Sequence, residues 1–262
     1  MIQIQRRGLF ALGAAALGLA ACGQARTAPA GTVFVLVHGA LHGGWCWRRV
    51  AKILRAAQAD VFTPTLSGLG ERSHINGPCI GLTLHIKDVV NCILAEELRR
   101  VVLVGHSYAG MVITGVAQHL GERVAHLVYL DAVIPRDGET ALDAMGGLSL
   151  DPKVKMFRSK PEFDFGIKNA ADLAWVRRRV TPQSALTLRE KINLSRDLST
   201  VRRTYIACTA DSGTGSPADV MRRTARKRID ATWRYEELKT AHDAMISAPD
   251  DLASVLLAAA AA

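Results

Sequence analysis

The stretch VVLVGHSYAGMVI, Val101 to Ile113, decides the fold. Its opening run of valines and leucine reads as a strand buried on both faces, and the apolar residues after the serine read as a helix. Between them Gly105 stands two residues before Ser107, but the Gly-x-Ser-x-Gly pattern is incomplete: Ala109 takes the second glycine's place and Gly110 follows one step late. A sharp strand-to-helix turn of this kind lifts a serine hydroxyl clear of the backbone and accepts only small neighbours where strand and helix cross. Alanine is the next smallest residue and favours a helix, so Ser107 remains a candidate nucleophile.

Outward from this turn, strands and helices alternate. Thr32 to Val37 is a β-branched buried run, followed by a helix pattern over Trp45 to Ala57, a short strand at Val61 to Thr63 and a helix over Leu84 to Leu98. After the turn come a helix to about Leu120 and a strand over Val124 to Leu130. From Pro135 to about Thr200 the rhythm breaks into Gly, Asp, Pro and Lys with amphipathic pieces such as Ala171 to Val180, and then resumes with strands at Thr204 to Thr209 and Thr232 to Leu238. The alternation predicts an α/β fold with a mostly parallel, doubly wound sheet and an inserted helical cap over about 135–200. In such sheets the site lies beyond the C-terminal strand ends.

The N-terminus stands apart. Residues 1–22 place Arg6-Arg7 before an apolar run from Gly8 to Ala21 and end in Leu19-Ala20-Ala21-Cys22, the pattern of a twin-arginine export signal with a lipobox. That run is short for a bilayer span. The expectation is an exported, periplasmic or membrane-anchored lipoprotein attached through Cys22, with a linker over 23–31 and one domain over 32–262. Net charge is +9, concentrated in groups such as Arg177-Arg178-Arg179 and Arg222 to Arg228, which read as solvated basic helix faces near anionic lipid. No nucleic-acid-binding motif accompanies them. Cys46, Cys79, Cys92 and Cys208 form neither a disulfide framework nor a zinc pattern, and Cys79 with Cys92 is the pair to test. Neither a metal nor a cofactor is expected.

A serine hydroxyl becomes a useful nucleophile only when a neighbour takes its proton. His242, in the loop between the last strand and the last helix, is the candidate base. The loop beginning His38-Gly39 after the first strand is placed to supply an oxyanion-binding N–H from Ala40, with the second from Tyr108. His38 and His106 flank the pocket as structural hydrogen bonders, and His42 is placed to touch substrate. Two aspartates compete as the acid that orients the base: Asp211, closing TYIACTAD, and Asp131, closing HLVYLDA. Asp243 stands too near His242 in sequence to serve.

The segments FVLVHGALHGGWCWRRV (34–50), FTPTLSGLGERSH (62–74), VVLVGHSYAGMVITGVA (101–117), LVYLDAVIPRDG (127–138) and AHDAMISAPDDLA (241–253) together resemble the plant methylesterase and hydroxynitrile lyase group of α/β-hydrolases. They resemble still more the bacterial esterases similar to that group, among which pyrethroid hydrolases are found. The resemblance spans nearly all of 32–262 and implies an α/β-hydrolase fold, with Ser107 as nucleophile, His242 as base and Ala40 and Tyr108 as oxyanion donors. It implies Asp211 by the plant pattern and Asp131 by the bacterial one, with a slight lean to Asp131. Hydroxynitrile lyases carry a lysine after the catalytic histidine. Asp243 fills that place here, against cyanohydrin cleavage.

The expected function is a serine carboxylic ester hydrolase acting on a small to medium hydrophobic ester through a Ser-His-Asp triad. Phe157, Phe163, Phe165 and Trp175 of the cap, with Trp45 and Trp47, offer apolar surface for it. The alternatives are a non-catalytic ligand-binding protein on the same scaffold, or a C–C hydrolase or acyltransferase using the same triad.

Overall fold

A computed structural model describes residues 27–160, 163–210 and 216–261. Cys22 and the export signal lie outside the described residues, as does Asp211.

The chain runs β1 (Val33–Val37), α1 (Arg48–Ala56), β2 (Asp60–Phe62), α2 (Leu82–Ala95), β3 (Val101–His106), α3 (Ala109–Leu120) and β4 (Val124–Leu130). The cap segment holds α4 (Ala141–Ala144), β5 (Met156–Phe157), α5 (Ala170–Arg177), β6 (Gln183–Ser184) and α6 (Leu186–Arg189). The main rhythm returns with β7 (Arg202–Cys208), α7 (Pro217–Arg226), β8 (Trp233–Leu238), α8 (Ala244–Ser247) and α9 (Pro249–Ala261). Six strands form one sheet in the order β2-β1-β3-β4-β7-β8. Each of its ladders is parallel. β5 and β6 make a separate antiparallel pair inside the cap, an element that the broken pattern of that segment does not signal.

Side-chain alternation divides the core in two. Val35, Val37, Leu103, Leu127 and Tyr129 face one way and pack with Ile86 and Val89 of α2 and Met111 and Val112 of α3. Phe34, Leu36, Val102, Val104, Val128 and Leu130 face the other way, against Val50 and Leu54 of α1 and Leu252 and Leu256 of α9. Burial on both faces explains why β1, β3 and β4 read as unbroken apolar runs.

From β1 the chain turns out to the edge strand β2, then crosses back to β3 and proceeds to β4. The loops after β1 and β3 therefore leave neighbouring strands toward opposite sides and open a crevice between them, the place where such sheets bind ligands. Those loops carry Gly39 and Ala40, and Ser107 and Tyr108.

The late glycine has a structural cause. A Cβ on Gly110 would lie 1.9 Å from the carbonyl oxygen of Val133, in the segment just past β4, whereas Ala109 keeps its methyl in a fully buried site. A Cβ on Gly105 would meet the Ala109 carbonyl oxygen at 2.8 Å. The small residues are needed at 105 and 110, and the position two after the serine admits a methyl group. Gly110→Ala must push α3 off the Val133 backbone and is expected to cost at least about 2 kcal/mol. Ala109→Gly is expected to cost about 1 kcal/mol, from helix propensity. Thermal unfolding of the two variants checks the order, and equal midpoints would refute it.

Candidate active site

Ser107 holds φ at +55°, a left-handed conformation that only the surrounding bonds make tenable. Its N–H donates to the Leu130 carbonyl at 3.1 Å, and its own carbonyl accepts from Gly110 N at 3.2 Å and Val133 N at 3.1 Å. The elbow is thus pinned to the end of β4 and the segment just past it through both peptide groups that flank the Ser107 Cα.

His242 follows β8, and its Nδ1–H donates to Asp131 Oδ2 at 2.7 Å. The proton on Nδ1 leaves Nε2 as the ring's basic nitrogen. Asp131 closes β4 with φ at +40° and is fully buried. Its other oxygen accepts from Arg222 Nε at 2.9 Å and from Cys208 N at 3.3 Å. Burial alone would raise this carboxyl, but the His242 hydrogen bond and the His242 and Arg222 charges hold it below the usual carboxylate range. The structure therefore joins His242 to Asp131, one of the two aspartates weighed from sequence.

Gly39 presses directly on the elbow: a Cβ there would lie 2.7 Å from His106 Nδ1 and 3.1 Å from Ser107 Cβ. His38 Nδ1–H donates to the Gly39 carbonyl at 2.8 Å while its Nε2 accepts from Leu66 N at 3.1 Å. Because the Gly39–Ala40 peptide is planar, fixing that carbonyl also fixes the direction of the Ala40 N–H. Tyr108 is anchored through its side chain, whose hydroxyl donates to His85 Nδ1 at 3.1 Å; His85 Nε2–H in turn donates to the Ser67 carbonyl at 3.0 Å. Both backbone donors weighed for the oxyanion hole are thus held from behind by buried histidines. Burial lowers both imidazoles, His38 to about 3 and His85 to about 4, so both are neutral at pH 7.

His106 donates from Nε2 to the His242 carbonyl at 3.0 Å, with the two rings 4.5 Å apart. Burial lowers it to about 3, and its Nδ1 has no hydrogen-bond partner among the described residues.

His42 departs from expectation. Its ring is 2% exposed, stacks on Trp45 at 5.1 Å and meets the edge of Phe165 at 5.3 Å. Its Nδ1 lies 2.8 Å from the Ala40 carbonyl and its Nε2 lies 3.1 Å from Asp243 Oδ2. A ring closed in this way is not a substrate contact. Asp243, adjacent to the base in sequence, has His42 as its hydrogen-bond partner. Arg222 was also hidden, because the run Arg222 to Arg228 reads as a solvated face; here it lies half-buried against Asp131 beside the buried Met221.

Trp47 is core, Trp45 and Trp175 meet edge to face at 5.0 Å, and Phe163 is exposed. The thiols of Cys79 and Cys92 are both free. Ligand atoms of His106, His242 and Asp243 lie within 4.8 Å of one another, but His106 Nε2 already serves a carbonyl and Asp243 already serves His42. A cavity of about 530 Å³ between α2 and α3, lined by Ile86, Lys87 and His119 among others, lies apart from this constellation and holds no nucleophile–base pair.

A parallel doubly wound sheet with a strained serine at the turn after β3, and a histidine–aspartate pair contributed by later strand ends, defines a hydrolase class of α/β enzymes. The chain belongs to the alpha/beta hydrolase family, whose sequence model matches residues 34–255, and it is an enzyme of the hydrolase and esterase type. A carbendazim hydrolyzing esterase from Nocardioides sp. (strain SG-4G) is 40% identical over 244 residues, covering 86% of this chain and 98% of that protein. Salicylic acid-binding protein 2 of Nicotiana tabacum is 27% identical over 256 residues, covering 87% of this chain and 96% of its own length. Among solved structures, an extracellular alpha/beta-hydrolase from a Paenibacillus species superposes with a TM-score of 0.73 at 24% identity, covering 87% of this chain and 98% of that one.

Proposed function

We propose that this protein is a serine carboxylic ester hydrolase in which Ser107 attacks the ester carbonyl, His242 accepts its proton and Asp131 orients the imidazole. The observation that carries the reading is the 2.7 Å bond from His242 Nδ1–H to the buried Asp131, which presents Nε2 as the base. In the first half-reaction the Ser107 Oγ–H proton passes to His242 Nε2 as the C–O bond forms. Negative charge gathers on the former carbonyl oxygen, where the Ala40 and Tyr108 N–H groups stabilise it. His242 then returns the proton to the departing alkoxide. Water repeats the sequence on the acyl-enzyme, releasing the acid and restoring the serine.

The substrate class is a small to medium hydrophobic ester. The likeness to a carbendazim hydrolyzing esterase makes carbendazim the first further compound to try beside p-nitrophenyl acetate and butyrate. A fluorophosphonate probe tests the mechanism directly. Mass spectrometry of the labelled protein is expected to find one adduct, on Ser107, formed in step with loss of p-nitrophenyl butyrate turnover. An unlabelled Ser107, or turnover that survives its labelling, would overturn the reading.

A further inference from the structure

We propose that His42 and Asp243 form a buried imidazolium–carboxylate pair that locks the loop carrying the general base onto the loop carrying an oxyanion donor, making both of them positioning residues for ester hydrolysis. The inference rests on the assignment of Ser107, His242 and Ala40 given above.

A backbone carbonyl can only accept, so the 2.8 Å contact between His42 Nδ1 and the Ala40 oxygen requires a proton on Nδ1. A carboxylate can also only accept, so the 3.1 Å contact between Nε2 and Asp243 Oδ2 requires one on Nε2 as well. A ring with both nitrogens protonated is a cation. The ionisation behaviour agrees: burial opposes the charge on His42, but the Asp243 carboxylate raises the imidazole above its ordinary value, and the same partner brings Asp243 down to about 2 against its own burial. The groups facing the pair are His38 and Cys46 from the segment after β1, His106 at the end of β3, Cys208 at the end of β7 and His242 beside Asp243 itself. Burial and neighbouring groups hold His38 and His106 neutral, each at about 3. His42 therefore supplies the positive charge that matches Asp243.

The pair also has a geometry that a purely structural contact lacks. At one end the His42 ring holds the Ala40 carbonyl, one residue from the Gly39 carbonyl that His38 holds, so the Ala40 unit is clamped on both sides of its N–H. At the other end Asp243 follows His242 directly, and the His242 carbonyl is held by His106. The two ends are 201 residues apart in sequence. The second oxygen of Asp243 is buried without a hydrogen-bond partner among the described residues, 3.8 Å from His106 Nε2. A half-satisfied buried carboxylate is costly, and such costs gather at functional sites.

The test uses Asp243→Asn and Asp243→Ala of the purified protein, with circular dichroism to establish folding. Asparagine keeps the shape and a neutral hydrogen bond; alanine removes both. On p-nitrophenyl acetate, kcat is expected to fall about tenfold for asparagine, the difference between a charge-assisted and a neutral hydrogen bond. It is expected to fall about 10²-fold for alanine through misplacement of the base and donor. KM should stay near the wild-type value in both, and fluorophosphonate labelling of Ser107 should slow in parallel.

An independent readout is the 15N spectrum of the imidazoles. Wild-type His42 should show two protonated nitrogens at pH 7.5, and Asp243→Asn should show one. A neutral His42 in the wild type would overturn the proposal, as would folded variants that keep wild-type kcat or lose only KM. If alanine prevents folding, the asparagine variant decides the matter through both readouts. If wild-type Ser107 is not labelled, the serine hydrolase reading itself fails. If it is labelled and the variants match wild type, only the pair's role falls.

Discussion

Ser107→Ala is expected to lower kcat on p-nitrophenyl butyrate by about 10⁶-fold with KM little changed, and Asp131→Asn by about 10⁴-fold. The first figure follows from removing the nucleophile from a unit whose members work only together. The second follows from the tautomer. Asparagine can offer its amide N–H to His242 Nδ1, which then carries no proton, and the ring's proton moves to Nε2 where the base is needed. Arg222 sharpens the contrast, since its guanidinium lies 2.9 Å from Asp131 Oδ1 and would be left facing a neutral amide. Asp211→Asn is expected to turn over like wild type. The reverse pattern, an active Asp131→Asn beside an inert Asp211→Asn, would return the acid's role to the strand end at 211.

Acid is expected to unfold this protein well before its carboxylates titrate. His38, His85, His106 and His126 are buried and neutral, and burial sets them at about 3, 4, 3 and 4 against an ordinary value of 6.5. Below pH 6.5 the unfolded chain binds protons that the folded chain refuses, so stability falls as pH falls from 6.5 toward 4. Each such group contributes about 1.4 kcal/mol per pH unit, or about 5 kcal/mol per unit for the set, against a typical total of about 5–15 kcal/mol. His42 runs the other way: its raised value adds stability that is whole below pH 6.5 and fades as pH rises through the folded value. The depressed values of Asp131 and Asp243 act only below about pH 4, outside this window. Urea titrations between pH 7.5 and 5 should show the decline, with unfolding near pH 5. His126→Gln, remote from the site and bonded to Ala259 and Thr204, should remove about a quarter of the slope. A flat stability profile over that range would sink the prediction.

Much of the scaffold was legible because burial on both faces leaves a plain trace. β1, β3 and β4 appear as apolar runs, and the turn at Ser107 appears as a cluster of small residues. What sequence left open was long-range. The choice between Asp131 and Asp211 depends on which partner the His242 loop meets, and in the sequence both close an apolar run that reads as a strand. The need for glycine at 110 depends on the Val133 carbonyl, 23 residues on. The expectation that His42 touches substrate failed because a histidine beside tryptophans looks like a pocket wall until its distant partner is known. Arg222 was concealed by the company of other basic residues, though Met221 and Ala225, four apart and buried, mark the inner face of α7.

Two residues of the proposed triad, Ser107 and Asp131, share one peculiarity: each holds a backbone angle that its own Cβ resists, +55° and +40°. Glycine at either place would relax the chain and erase the chemistry. At both places the posture is held by backbone bonds, Ser107 N–H to the Leu130 carbonyl and Asp131 N–H to the Ile206 carbonyl, so the sheet itself bears the strain that presents the two side chains.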